Sequence, residues 1–186
     1  MNGYTISSPQ DIRKLRRKLR KSAERTKQRL LQLAKSNKDA ISLLADLKFK
    51  PVGFAPLDSE KPFNLIEQLN QTFTDLATLK ATEYLFKKYP SVKSFTVNLG
   101  PSPGRDIWSE SGSIAAEVFS AVNPNRNNKL RHDCRSVSKT KKGEKPAKHK
   151  YVFFWCPNKK PGKQKNVFGF PRVKIVAVSY PNISLE

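Results

Sequence analysis

Cysteine is nearly missing from this chain: Cys134 and Cys156 are the only two, 22 positions apart. No CxxC pair accompanies them, which excludes a zinc ribbon and a disulfide framework and fits a reducing, cytoplasmic setting. Long apolar runs are absent too. No stretch reaches the roughly 18 residues that a membrane span needs, and no apolar stretch follows the first charges as a secretory leader would. A cytoplasmic protein without a membrane partner is therefore expected. The eight glycines form no phosphate-cradling loop, and no internal repeat is visible. Acid is the scarcest commodity of all. Fifteen Asp and Glu stand against 36 Lys and Arg, a net charge of +21. Solubility does not require such an excess; it implies a polyanionic partner, of which nucleic acid is the commonest.

The charge is unevenly spread. Residues 1–50 hold 14 cations and 4 acids, residues 51–122 hold 6 and 8, and residues 123–186 hold 16 and 3. The only segment that is not basic thus lies between two that are. Ser7-Ser8-Pro9-Gln10-Asp11 is a helix-start signal. From there to Ser36 one long helix is expected, with Ile12, Leu15, Leu19, Ala23, Leu30 and Leu33 as a narrow apolar seam. Arg13, Arg16, Arg17 and Arg20 on its other faces suit sugar–phosphate contacts. A short helix over 38–47 follows. Residues 1–50 read as a basic helical arm, 51–62 as a Pro/Gly linker, and 63–186 as a core domain.

In the core, 63–89 reads as a helix ended by Pro90, 92–99 as a strand, 104–122 as a hairpin, 129–139 as a helix, and 151–155 and 173–178 as interior strands. The stretches 140–150 and 157–164 read as lysine-rich loops. All ten cations from Lys139 to Lys165 are lysines, point charges that hold a backbone rather than read bases. Lys139, Lys141, Lys142, Lys159 and Lys160 belong to this group. Asn125, Arg126, Asn127 and Asn128 form a polar cluster better suited to base readout.

The informative stretch is Gly104 to Val122. It alternates like a strand, breaks at Glu110-Ser111-Gly112-Ser113, and alternates again. With a turn centred on Ser111-Gly112, facing residues sum to 223, and Asp106 stands opposite Glu117. Their Cβ atoms would be roughly 5 Å apart on one face. Glu117 sits in an apolar run, Ile114-Ala115-Ala116 before it and Val118-Phe119 after. Two carboxylates so placed repel unless a cation lies between them. A divalent metal site is expected, with the Val118 carbonyl as a further oxygen ligand and Mg²⁺ (or Mn²⁺) as the ion. Ion pairing of the same acids with Arg105 and Lys129 is the competing account. Arg105, as the residue before Asp106, is expected to point to the opposite face. A His132-Asp133 dyad is disfavoured, because adjacent helical residues diverge by about 100°.

The order helix, strand, strand, strand, helix, strand, with an acid on each arm of the hairpin, resembles the PD-(D/E)XK nuclease superfamily. The resemblance spans about residues 63–156. It implies an α/β fold, a restriction-endonuclease-like mixed β-sheet flanked by helices. It also implies that Asp106 and Glu117 are catalytic and metal-binding, and that a helix carboxylate joins them: Glu83, or less favourably Glu67. The family's lysine belongs two residues after the second acid, where this chain has Phe119. Lys129, at the start of the next helix, is the substitute. The implied activity is Mg²⁺-dependent hydrolysis of DNA phosphodiester bonds by a small dimeric restriction-type enzyme. One site per chain and two strands to cut make a homodimer economical. The alternative is a non-catalytic basic DNA- or RNA-binding protein on a degenerate nuclease fold, favoured by Phe119.

Overall fold

Ser8 opens the first helix as its sequence signal predicts. Its hydroxyl accepts from the Asp11 N–H and donates to the Asp11 carboxylate, and Pro9 starts the helix α1 (Pro9–Ala34). Three further helices follow: α2 (Ala40–Phe49), α3 (Leu65–Lys88) and α4 (Lys129–Ser138). A 3₁₀ turn, Arg126–Asn128, precedes α4. The strands are β1 (Tyr4–Ile6), β2 (Gly53–Phe54), β3 (Pro62–Phe63), β4 (Phe95–Val97), β5 (Ile107–Ser109), β6 (Ile114–Ser120), β7 (His149–Trp155), β8 (Gly162–Gln164) and β9 (Val173–Ala177). The computed structural model describes residues 3–57, 61–100, 104–140 and 146–179. Among these no helix is long and apolar enough to cross a membrane.

Seven strands form one mixed sheet in the order β1-β4-β5-β6-β7-β9-β8, and β2 pairs with β3 in a small second sheet. β4, β5 and β6 are antiparallel neighbours, while β6, β7 and β9 run parallel. A parallel pair needs a crossover on a sheet face, and α4 supplies it between β6 and β7. The chain is therefore α/β, with a layer on each side of the sheet. Ile107, Ile114, Ala116, Val118, Tyr151 and Phe153 face α1 and α3 and pack on Ile12, Leu19, Leu79 and Leu85. Ala115, Phe119, Val152, Phe154 and Ile175 face α4 and pack on Leu130, Cys134 and Val137. Two covered faces explain why Tyr151 to Trp155 reads as unbroken apolar sequence. Both cysteines are buried free thiols, and burial pushes the Cys134 thiol up to about 11.

The basic N-terminus is not a projecting arm. β1 adds an edge strand beside β4, and Ile6, Ile12, Leu15 and Leu19 enter the main core. Ser22 and Thr26 continue the buried stripe where Ala23 was expected to. The linker is also tied down. Gln68 accepts from the Phe54 N–H at 2.6 Å and donates to Ser22, whose hydroxyl donates to the Phe54 carbonyl at 2.8 Å. Gly53 permits this approach, since a Cβ there would lie 2.9 Å from the Gln68 Cβ. β1, β2, β3 and β8 have only two or three residues each, too short for alternation to reveal them.

Candidate active site

The hairpin has the expected register: Ile107 pairs with Ala116 and Trp108 with Ala115. Gly112 takes a positive φ of 71°, and its N–H donates to the Ser109 carbonyl to close the turn. Because Ile107 faces α1 and α3, Asp106 and Trp108 face α4. Glu117, between Ala115 and Phe119 on β6, shares that face. The two acids are thus on one side of the sheet, beneath α4.

Asp106 is half-buried just before β5 begins. Its Oδ2 accepts from the Val118 N–H at 2.6 Å. Burial pushes its carboxyl from an ordinary 3.8 up to about 8, helped by the charges of Glu117 and Asp133; the Val118 hydrogen bond and the Lys129 charge pull the other way. An N–H and C=O of one extended residue point to the same side, so the Val118 carbonyl is also directed toward Asp106. Glu117 is buried and accepts from the Ser136 hydroxyl at 2.8 Å. The Arg105 guanidinium lies 3.8 Å from the same oxygen. Arg105 therefore does not point to the opposite face. β5 starts only at Ile107, so strand alternation does not extend back to it. A further Arg105 nitrogen donates to the Lys139 carbonyl at 2.5 Å, tying the hairpin to the C-terminal end of α4.

Lys129 comes to this place from the first turn of α4. Its amine stands 5.6 Å over the Phe119 ring. A cation thus occupies the space above position 119 although the residue there is aromatic and stacks on Phe154. The amine pairs with Asp133 at 2.8 Å. Asp133 is buried, and its second oxygen has no hydrogen-bond partner among the described residues. Sequence reasoning missed Asp133 and Ser136. The signal available was the helical spacing of 129, 133 and 136, which puts all three on one face. The His132 Nδ1 touches the Asp133 carboxylate only at the 3.5 Å limit, and its side chain is 75% exposed.

Other expected residues lie elsewhere. Glu83 pairs with Arg16 at 2.7 Å and with Lys80 at 3.3 Å, in the layer of α1 and α3 on the far side of the sheet. The spacing on α3 that made it attractive turns it toward α1 instead. Arg16 is correspondingly engaged rather than open to phosphate. Glu67 closes a capping box with Asn64 at the start of α3. The helix carboxylate aimed at the hairpin's end of the sheet is Asp75, which is buried and accepts from the Gly100 N–H and from Gln71. Burial raises it to about 6.

Arg13, Arg17 and Arg20 are exposed, as are Asn125, Arg126, Asn127 and Asn128 on the approach to Lys129. Asn127 and Asn128 both take left-handed backbone, at φ 55° and 54°, which asparagine tolerates better than most residues. Lys159 and Lys160 are exposed beyond the end of β7. Lys139 is exposed at the opposite end of α4, about 15 Å from Lys129 by helical rise. Lys141 and Lys142 lie outside the described residues.

These donors fit a hard cation in part. Asp106, Glu117 and the Val118 carbonyl offer oxygen donors of the kind a hard cation takes, though Arg105 beside Glu117 and Lys129 on Asp133 already bring positive charge to the acids. Among the described residues no three His, Cys, Asp or Glu side chains stand close enough to form a complete cage. Magnesium is commonly held by one or two carboxylates with the remaining positions filled by water, so two acids suffice. No family model, no curated protein and no solved structure matches the chain.

Proposed function

We propose that the chain is a Mg²⁺-dependent endonuclease that hydrolyses DNA phosphodiester bonds, built on a restriction-endonuclease-like core and acting as a homodimer; Mn²⁺ would serve in place of Mg²⁺. The observation carrying this reading is the pair Asp106 and Glu117 on one sheet face, with the Asp106 carboxyl pushed far above its ordinary range by burial and, secondarily, by the neighbouring acids. The strand order supports it as well: an antiparallel triplet, a crossover helix, then a parallel strand beside the second acid. When bound, the ion would supply an activated water and neutralise charge on the phosphate. The chain's own residues do the rest. Asp106 and Glu117 bind and orient, Ser136 and Arg105 hold Glu117 in place, and Lys129 puts a positive charge beside the scissile phosphate. Arg13, Arg17, Arg20 and the lysine loops hold the sugar–phosphate backbone.

The direct test is nicking of supercoiled plasmid with Mg²⁺ against EDTA. Cleavage only with the metal supports the nuclease. Tight DNA binding without cleavage under any divalent ion supports the second reading, a non-catalytic DNA- or RNA-binding protein. That reading draws on Phe119, stacked in the core where the family has lysine, and on Arg105 beside Glu117.

Lys129→Met is expected to slow cleavage about a hundredfold, the scale for losing one well-placed charge donor, while Glu83→Gln leaves the rate unchanged. Equal rates for wild type and Lys129→Met would remove Lys129 from the site. Binding should also fall steeply with salt. Replacing Arg13, Arg17 and Arg20 together by Gln is expected to reduce the log–log salt slope by about 2–3, at ~0.9 per phosphate contact. An unchanged slope in a binding titration would place the DNA elsewhere.

A further inference from the structure

At the N-terminal end of β7, on the face that α4 covers, the surface folds into a cavity of about 260 Å³ lined by Ser138, Lys150, Gly169, Phe170, Pro171 and Arg172. Three elements meet there: the last residue of α4, the second residue of β7 and the loop that leads into β9. The loop is held in shape from within. The Asn166 amide donates to the Phe170 carbonyl at 2.8 Å and to the Val173 carbonyl at 2.9 Å, and its oxygen accepts from the Phe168 N–H at 3.1 Å. Gly169 turns the chain at φ 75°, and Phe168 and Phe170 lean on the core beneath α4. The wall is therefore set before any ligand arrives, which spares binding the cost of ordering it. Lys150 is placed as firmly. Its amine donates to the Ser138 carbonyl at 2.5 Å; an ammonium has three N–H donors, so two are left over. Arg172 stands beside it, one residue before Val173, which pairs with Lys150.

We propose that this cavity binds a nucleotide, its phosphate between Lys150 and Arg172 and its sugar and base along Phe170 and Pro171. Two positive charges are gathered at one cavity, and among the described residues neither is paired with an acid. Burial, and then the nearby charges of Arg105 and Arg172, hold the Lys150 amine below its ordinary range. Like charges brought together cost free energy that an anion between them relieves. A phosphate meets both the point charge of an ammonium and the fork of a guanidinium. Capping of the α4 carbonyls accounts for Lys150 alone and leaves Arg172 without a role. The rest of the wall narrows the ligand. Phe170 and Pro171 offer nothing to a bare inorganic ion, whereas a base stacks on an aromatic face. The volume lies just under the about 300–1,000 Å³ of pockets for drug-sized ligands, which admits one nucleotide and shuts out a duplex. A free mononucleotide and the terminal unit of a strand share this chemistry. The inference goes beyond the nuclease reading, since it needs neither metal nor cleavage.

The test is calorimetric titration of the full chain, without divalent ions, with inorganic phosphate and with adenosine 5′-monophosphate. The nucleotide is expected to bind at one site per chain and about tenfold more tightly than phosphate, the scale of one base stacked on a ring. Arg172→Gln is expected to weaken it about tenfold, the scale of one charge-assisted hydrogen bond, and Lys150→Met as much. Arg172 is exposed, so its result stands even where Lys150→Met fails to fold. Lys27→Gln removes an equal charge from an exposed position on α1, across the sheet, and should bind as wild type does. Competition then names the source. A short strand ending in a 5′-phosphate displaces the mononucleotide, and the same strand ending in a 5′-hydroxyl does not, if the ligand is a strand end; neither displaces it if the ligand is a free nucleotide. The inference is overturned by the absence of saturable binding, by phosphate binding as tightly as the nucleotide, or by Lys27→Gln losing as much as Arg172→Gln. None of these results bears on plasmid nicking, and a chain that never nicks DNA would still bind the nucleotide.

Discussion

If the proposed nuclease reading holds, Asp106→Asn and Glu117→Gln are each expected to lower plasmid cleavage by about a thousandfold, the upper scale for losing one group that stabilises the transition state, while DNA binding stays equal or becomes tighter. The first half follows from the chemistry. Each substitution keeps the shape of the side chain but removes an anionic oxygen from the Asp106–Glu117 pair, and an ion held by two carboxylates does not survive the loss of one. The second half follows from electrostatics. The DNA is anionic and an ionised carboxylate repels it, so neutralisation relieves that repulsion wherever the acid is charged, for Asp106 above about pH 8. Gel-shift titration beside a nicking assay reads both at once. Simultaneous loss of binding and cleavage would mean that the acids hold up the hairpin, through the Arg105 and Ser136 contacts, and do no chemistry.

Stability that drains away as pH rises is the second large effect. The Asp106 carboxyl has an ordinary value of 3.8 and is pushed up to about 8 in the fold. A raised value means that the folded state binds this proton more tightly than the unfolded chain. The contribution to stability is complete below about pH 4 and is lost progressively as pH climbs through about 8. Asp106→Asn removes the titration. Its unfolding free energy should therefore exceed that of wild type by about 2–3 kcal/mol at pH 8.5, less than the ~1.36 kcal/mol per unit of a fully buried group because solvent screens a half-buried carboxyl. At pH 4 the two proteins should be alike. Saturating Mg²⁺ should then restore wild type at pH 8.5 by about 2–3 kcal/mol, as expected at roughly a hundred times the dissociation constant, and leave Asp106→Asn unmoved. Denaturant melts with and without the ion measure both. A wild type whose stability is flat from pH 5 to 8.5 would contradict the burial of Asp106 and its crowding by Glu117 and Asp133.

Where side-chain periodicity is long, the chain is readable from its letters. The four helices, the strands expected over 151–155 and 173–178, and the hairpin register all follow from apolar spacing and turn chemistry, although β7 begins two residues earlier, at His149, inside what reads as a lysine-rich loop. The register matters most, because a slip of one residue would have put Asp106 and Glu117 on opposite faces. Contacts between distant segments are not readable in this way. Nothing local in Tyr4-Thr5-Ile6 announces an edge strand, and nothing in Glu83 reveals that Arg16 waits for it across the helix pair. Asp133 enters the sequence reading only through the disfavoured dyad with His132, because its burial depends on how α4 settles onto β6 and β7. For Arg105, strand alternation fails because the residue lies two positions before β5 begins at Ile107.

The entry of Ile6, Ile12, Leu15 and Leu19 into the main core has a practical consequence. Trimming the chain at residue 50 would strip a layer from the interior and bare the flank of Phe95–Val97, an invitation to aggregation. Whatever such a fragment failed to do would speak of unfolding, not of lost grip on a nucleic acid. The role of the cationic helix is better probed one arginine at a time, on an intact molecule.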